Sequence, residues 1–318
     1  MIKPAICVAG SLNMDLIVYL GVTAAEAGYA AGAQFESHMG GKSLNVAMGI
    51  AALDPSVVLI GRVGRDMFGD QILASLAHSG LTTEYVTVDA SAHTGIGHVR
   101  VNTEGEYDTA VAPGANGSFS NRDIDSFLET AEPPEIAVLN LEVPLPAVKY
   151  AAKKFRSLGT RIVLNVSPLQ EGAGSFLDLA DIIVLNRNEA CSILGIASGT
   201  ESTEVLAALR RLSAATLVLT LGADGVIAQD QDDVIIALGA EPIQVVNSIG
   251  AGDSFLAILV LALAQGHDLA MALRAASEAG RQVCGQAASF LSRESIRPIQ
   301  NSMGSKLLTT LIDERKGA

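Results

Sequence analysis

The sequence predicts an α/β protein with a mostly parallel central sheet, helices on both faces, and a small β-sheet lid beside it. Short apolar runs recur along the chain and alternate with helical stretches, the order that builds a parallel sheet. The runs are continuously apolar, as strands covered on both faces must be. The chain has 318 residues, 49% hydrophobic and only 17% charged, which is enough to bury a large core. We expect residues 1–318 to form one domain, with a lid built from about 15–40 and 93–113.

Ala5 to Ala9 is an apolar run closed by Gly10 and reads as a buried parallel strand. Ser11-Leu12-Asn13-Met14-Asp15 then places an amide and a carboxylate just past a strand end, where open α/β sheets bind ligands. Asn13 and Asp15 either grip a polyol there or shape a turn through local backbone hydrogen bonds. Leu16 to Leu20, Gln34 to His38, Thr94 to Asn102 and Tyr107 to Ala112 are strand-like, the last two joined by a turn at Glu104-Gly105. Gly21 to Ala33, between the first two, has no adequate helical face. This small sheet fits a lid over a substrate, an edge extension or a dimer surface.

Gly40-Gly41-Lys42-Ser43 has the look of a nucleotide-binding P-loop. That motif needs a glycine five residues before its second one, and Glu36 stands there. The glycines instead let the backbone approach a ligand at the start of a helix running to about Leu53, with Lys42 and Asn45 facing that ligand. Beyond it, strands are expected at Val57 to Ile60, Ile136 to Asn140, Ile162 to Asn165, Ile182 to Leu185 and Leu217 to Thr220. Helices are expected at Gly69 to His78, Leu145 to Leu158, Thr203 to Leu212, Gly252 to Gln265 and Leu269 to Val283.

Three strand ends carry polar groups. Glu142, after Asn140, either binds sugar hydroxyls or complements a helix dipole. Asn186 and Glu189 either organise the water shell of a magnesium ion or begin a helix. Thr220, Gly222 and Gly225 follow the third strand.

Asn247-Ser248-Ile249-Gly250-Ala251-Gly252-Asp253-Ser254-Phe255 runs into the most apolar stretch of the chain. Small residues at 250–252 let successive N–H groups converge at a helix start, where unpaired donors and the helix dipole favour an anion. Asp253 in that mouth is either a base that accepts a proton from a hydroxyl beside a phosphate, or a helix cap.

The formal net charge is −13, from 21 Lys plus Arg against 34 Asp plus Glu, and no basic run interrupts it. Nucleic acid and anionic membranes are therefore excluded as expected partners. Cys7, Cys191 and Cys284 are odd in number and widely spaced, as buried thiols of a reducing compartment are. Met1 to Gly10 does not read as a signal peptide, and the apolar run from Phe255 is too short to span a bilayer. We expect a cytoplasmic protein.

Taken together, these segments resemble the ribokinase, or PfkB, family of carbohydrate kinases, from Gly10 to about Pro298. The motifs that carry the resemblance are Gly10-Ser11-Leu12-Asn13-Met14-Asp15, Gly40-Gly41-Lys42-Ser43-Leu44-Asn45 and Gly61-Arg62-Val63-Gly64-Arg65-Asp66-Met67-Phe68-Gly69. They continue with Pro113-Gly114-Ala115-Asn116, Leu141-Glu142-Val143-Pro144, Asn165-Val166-Ser167-Pro168, Asn186 to Glu189, and Gly250-Ala251-Gly252-Asp253. The resemblance implies a ribokinase-like fold and ATP-dependent phosphorylation of a sugar hydroxyl, with magnesium accompanying the ATP. It implies that Asn13, Asp15, Gly41, Lys42, Asn45 and Glu142 hold the sugar, and that Asp253 is the base, with Gly250, Ala251 and Gly252 as its anion hole. Asn186 and Glu189 would serve the magnesium and phosphate region, and Thr220, Gly222 and Gly225 the nucleotide.

Ribose is the expected substrate. Deoxyribose, a ketohexose and a nucleoside of the adenosine or pseudouridine type are alternatives, as is a non-catalytic sugar sensor of the same fold. The chain departs from the family where Asn247 replaces a common Asp near a monovalent-cation site, and where Ala288 replaces a glycine. Activation by potassium is accordingly expected to be weak or absent. Ser43 stands for a common Gly and Asn140 for a common Gln. A homodimer through the lid sheet is a further expectation.

Overall fold

The first strand, β1 (Ile6–Gly10), is buried at every position because neighbours cover both of its faces. It is followed by β2 (Asn13–Leu20), β3 (Gly32–Gly40), α1 (Lys42–Ala51), β4 (Val58–Gly64), α2 (Met67–His78), β5 (Val86–Asp89), β6 (Gly95–Val101), β7 (Tyr107–Ala112), α3 (Asn121–Thr130) and β8 (Ile136–Leu139). The second half contains α4 (Leu145–Ser157), β9 (Arg161–Asn165), β10 (Ile182–Asn186), α5 (Arg187–Leu194), α6 (Ser202–Arg210), β11 (Thr216–Thr220), β12 (Val226–Gln229), β13 (Ile235–Leu238), α7 (Ala251–Ala264), α8 (Leu269–Cys284) and α9 (Arg293–Ser302). The structure, a computed structural model, describes residues 2–21, 32–104, 107–246, 248–285, 291 and 293–302.

Nine strands form the main sheet in the order β13-β12-β11-β10-β9-β8-β1-β4-β5. All pairings are parallel except those of β12, which runs antiparallel to both neighbours. Side chains of β1 alternate between two cores: Ile6 and Val8 pack with α1, α2, α7 and α8, while Cys7 and Ala9 pack with α3, α4, α5 and α6. The chain leaves β1 toward β4 on one side and returns at β8 on the other. A crevice opens at the carboxyl ends of strands where the order reverses in this way. Gly10 and Ser11 end one wall of it, and Asn140 to Glu142 end the other.

The second sheet has the order β3-β2-β6-β7, with β2 and β6 parallel. Strand alternation places Asn13, Asp15, Ile17 and Tyr19 of β2 on one face, together with Gly40, His38 and Glu36 of β3 and Gly95, Gly97 and Val99 of β6. Asp66 fastens this sheet to the body. Its Oδ1 caps α2 through Phe68 N and Gly69 N and accepts from Thr94 Oγ1, and its Oδ2 accepts from Thr94 N at 2.7 Å. This cap starts α2 at Met67, two residues before the expected Gly69.

The expected strands and helices all occur, with ends shifted by a few residues. The sequence reading passed over β5, α3, β12, β13 and α9, and offered the start of α5 at Asn186 and Glu189 without its extent. β5 and β13 are four-residue edge strands with exposed positions, so they lack the buried run that marks the others. α3 and α5 are short helices begun by capping boxes, Ser120 with Asp123 and Asn186 with Glu189, rather than by a long apolar face. Most of the Gly21 to Ala33 segment, and Gly105 of the expected turn, lie outside the described residues.

Candidate active site

Helix α7 positions the central group. Every residue from Asp253 to Ala262 is buried, since the helix lies among the sheet, α1 and α8. Close approach is made possible by Gly49 of α1: a Cβ there would lie 2.8 Å from that of Ala257. The helix begins at Gly250, whose φ of 79° is in the left-handed region that glycine tolerates. At Gly252 an added Cβ would meet nothing within 4 Å, so the open side of the first turn has room for a ligand. Ala251 N donates to Ser248 O at 3.4 Å, and the first-turn N–H groups that follow have no partner within the helix, as suits anion donors.

Asp253 is 7% exposed. Its Oδ2 accepts from Asn45 Nδ2 at 2.8 Å, and its Oδ1 lies 4.0 Å from Lys42 Nζ. Asn45 Oδ1 is buried and has no hydrogen-bond partner, which leaves a ready acceptor beside Asp253.

The strand-end crevice supplies the next group. Glu142 Oε2 accepts from Ser11 Oγ at 2.5 Å and from Lys42 N at 3.0 Å, so one carboxylate oxygen joins the ends of β1 and β8 to the start of α1. Gly41 allows this approach: it has a φ of 92°, and a Cβ would come within 2.8 Å of Ser11 O and Asn13 N. Behind Glu142, Asn140 Oδ1 accepts from Glu142 N at 2.9 Å while Asn140 Nδ2 donates to Ser43 Oγ at 2.6 Å.

The small sheet closes the group with Asp15. Its carboxylate lies over two glycines, because a Cβ on Gly40 would be 2.0 Å from Asp15 Oδ2 and one on Gly97 would be 2.3 Å from Asp15 Oδ1. Burial pushes the Asp15 carboxyl up to about 7, Glu142 and Asp253 push the same way, and His38 and Lys42 pull it down. Asn13, 4% exposed, is next to it on the same face.

A second group forms at the ends of β10 and β11, where Asn186 and Thr220 are register partners. Asn186 Oδ1 accepts from Glu189 N at 2.9 Å, and Glu189 Oε2 accepts from Asn186 N at 2.8 Å. Arg187 ties α5 to the turn after β11 through Asp224 at 3.6 Å. Gly222 and Gly225 both have positive φ, 62° and 97°. No three His, Cys, Asp or Glu side chains among the described residues form a metal cage.

The structure thus bonds Lys42, Asn45, Glu142 and Asp253 together, with Gly41 beside them and Asn13 and Asp15 on one face of the small sheet, and gathers Asn186, Glu189 and Thr220 at the ends of β10 and β11, with Gly222 and Gly225 in the loop that follows. Asn247 lies outside the described residues. Sequence reasoning overlooked Ser11, His38 and Asn116. His38 was detectable, because period-two alternation from Gly40 puts it on the face of Asp15.

The profile described as "pfkB family carbohydrate kinase" matches residues 3–295. The ribokinase of Bacillus subtilis is 31% identical over 275 residues, covering 86% of this chain and 90% of that protein. The deoxyribokinase of Salmonella typhi is 29% identical over 275 residues, covering 85% and 89%. Among solved structures, ribokinase from Thermotoga maritima has a TM-score of 0.84 at 20% identity, covering 94% of this chain and 99% of that one. Arabidopsis thaliana ribokinase complexed with ribose and ATP has a TM-score of 0.83 at 24% identity, with the same coverage. A match of this extent, on a chain whose strand-end crevice and helix terminus converge on one aspartate, identifies it as a member of the pfkB family of carbohydrate kinases and an ATP-dependent sugar kinase.

Proposed function

We propose that the chain transfers the γ-phosphoryl group of ATP to a hydroxyl of ribose, with Asp253 as the base. The carrying observation is that Asp253, held by Asn45 at an anion-binding helix terminus, shares one polar network with Lys42 and, through it, Glu142. The sugar is held by Asn13 and Asp15 from the small sheet and by Gly41, Lys42, Asn45 and Glu142 from the body. The attacking hydroxyl oxygen bonds to the γ-phosphorus, its proton passes to Asp253, and the bond to the β-phosphate oxygen breaks to release ADP. N–H groups of the Gly250-Ala251-Gly252 turn stabilise charge on the transferring group, which is where such reactions gain most of their rate.

The nucleotide lies toward Asn186, Thr220, Gly222 and Gly225. Glu189 spends one oxygen on its capping box, and the absence of a carboxylate cage among the described residues fits a hydrated magnesium carried by the phosphates. When bound, that ion would neutralise phosphate charge, and Glu189 would help to hold it. Potassium activation is weak or absent on this reading, from the Asn at position 247. A homodimer through the small sheet is part of the proposal, supported by Phe35, which is exposed on the face of that sheet turned away from Asp15. So is a cytoplasmic location, supported by cysteines that are all unpaired. No helix among the described residues is long and apolar enough to cross a membrane.

The test is coupled detection of ADP across pentoses, hexoses and nucleosides, with Asp253→Asn as control. Ribose should give the highest kcat/KM. A higher value for deoxyribose or a nucleoside would replace the substrate, and sugar binding without sugar phosphate would make the chain a sensor.

A further inference from the structure

Asn116 is 2% exposed and lies in the short 3-10 turn Gly114–Ser118, where the chain returns from the small sheet to the body. Its amide meets the backbone of Leu12 twice: Oδ1 accepts from Leu12 N at 2.9 Å, and Nδ2 donates to Leu12 O at 3.0 Å. A backbone N–H only donates and a carbonyl only accepts, so these two bonds leave the Asn116 amide a single orientation. Nδ2 carries a second hydrogen and donates it to Asn13 Oδ1 at 2.7 Å. Asn13 therefore turns its oxygen to Asn116 and its NH2 away. Space for the paired amides comes from Gly95, where a Cβ would lie 2.2 Å from both Asn116 Nδ2 and Asn13 Oδ1.

We propose that Asn116 is a positioning residue that fixes Asn13 as a hydrogen-bond donor to the sugar. β2 then offers a donor at Asn13 and, two residues on, an acceptor at Asp15, on the same face. Such a pair matches neighbouring hydroxyls of a polyol, one accepting and one donating, and an Asn13 free to rotate would lose the distinction. The inference rests on the reading of Asn13 as a sugar ligand.

The test compares Asn116→Asp, Asn13→Ala, their double variant and Asn13→Asp in steady-state kinetics with the sugar that gives the highest activity. Asp at 116 keeps the acceptor for Leu12 N but has no hydrogen for Asn13, so the Asn13 amide must turn over. Asn116→Asp and Asn13→Ala should each raise sugar KM about tenfold, with ATP KM within about twofold and kcat little changed. The double variant should be no worse than Asn13→Ala. Multiplying effects would overturn the proposal, since Asn116 would then act on the structure at large. Asn13→Asp keeps the acceptor for Asn116 and exchanges the donor for a second carboxylate oxygen, with an added negative charge beside Asp15, and it tests the donor even where Asn116→Asp fails to fold. Its sugar KM should rise as in Asn13→Ala, and a wild-type KM would overturn the proposal. An unchanged KM in Asn13→Ala would instead refute Asn13 as a sugar ligand.

Discussion

Asn45 Nδ2 donates to Asp253 Oδ2 at 2.8 Å, a bond that joins α1 to α7 across 208 positions of the sequence. One oxygen of the carboxylate is thereby anchored, and the other faces Lys42. In its proposed role of base, Asp253 would have its orientation set before substrate arrives.

Asp253→Asn keeps the shape of the side chain but cannot take a proton. General-base assistance is worth about 10²–10⁴-fold, so kcat should fall by that factor. Sugar binding, followed by calorimetry, should stay within about threefold of wild type, as the Asn oxygen can still accept from Asn45. Turnover at the wild-type rate would remove Asp253 from the role of base.

Asp15 links activity and stability to pH. An unfolded Asp titrates near 3.9, whereas burial and neighbouring carboxylates raise Asp15 to about 7 in the folded protein. Between these values the native state holds a proton that the unfolded state has released. Stability therefore declines as pH rises across that window and stays at the lower level above about 7. Asp15→Asn should raise Tm at pH 8 by about 2–4 °C, with the gain vanishing near pH 4. Wild-type kcat/KM for the sugar should drop on the acid side of about 7, where Asp15 loses its charge. That step should be missing from the variant, and scanning calorimetry with a pH–rate profile reads both effects.

Gly97→Ala should separate binding from folding. The new methyl would sit 2.3 Å from Asp15 Oδ1, the far end of a side chain that can swing away. The fold should survive with a loss of about 1 kcal/mol or less, while the displaced carboxylate raises sugar KM about tenfold. ATP KM should not move. Denaturant unfolding and steady-state kinetics on one preparation check both halves.

Ser43 and Asn140 should behave as a unit. Both are buried, and Ser43→Gly leaves Asn140 Nδ2 without its acceptor, a loss of about 1–3 kcal/mol. Adding Asn140→Gln to Ser43→Gly extends an amide into the vacated space and should recover part of that loss. Asn140→Gln alone should crowd Ser43 and destabilise. Additive losses in urea unfolding would show that the two are independent.

The central sheet was legible because its strands are buried on both faces and so leave continuous apolar runs, as at Ile6–Gly10 and Ile182–Asn186. The edge strands at Val86–Asp89 and Ile235–Leu238 leave no such run, since water covers part of them. Within the site, Asp253 was visible because glycines precede it and an apolar helix follows. Asn116 could be read only as one letter of a motif. Its meaning lies in bonds to Leu12 and Asn13, more than a hundred residues away, and no local pattern encodes such a distance. Ser43 and Asn140 were each visible as departures, but their hydrogen bond was not.

Gly40, Gly95 and Gly97 leave bare backbone beneath Asp15 and the Asn13–Asn116 pair, on the small-sheet side of the proposed sugar site. A surface already reduced to glycine can only be filled. Single substitutions there can narrow the range of accepted substrates, whereas widening it requires changes on the opposite wall, at Ser11, Glu142 or the start of α1. Engineering toward bulkier acceptors should therefore begin with libraries on the body and leave the three glycines alone.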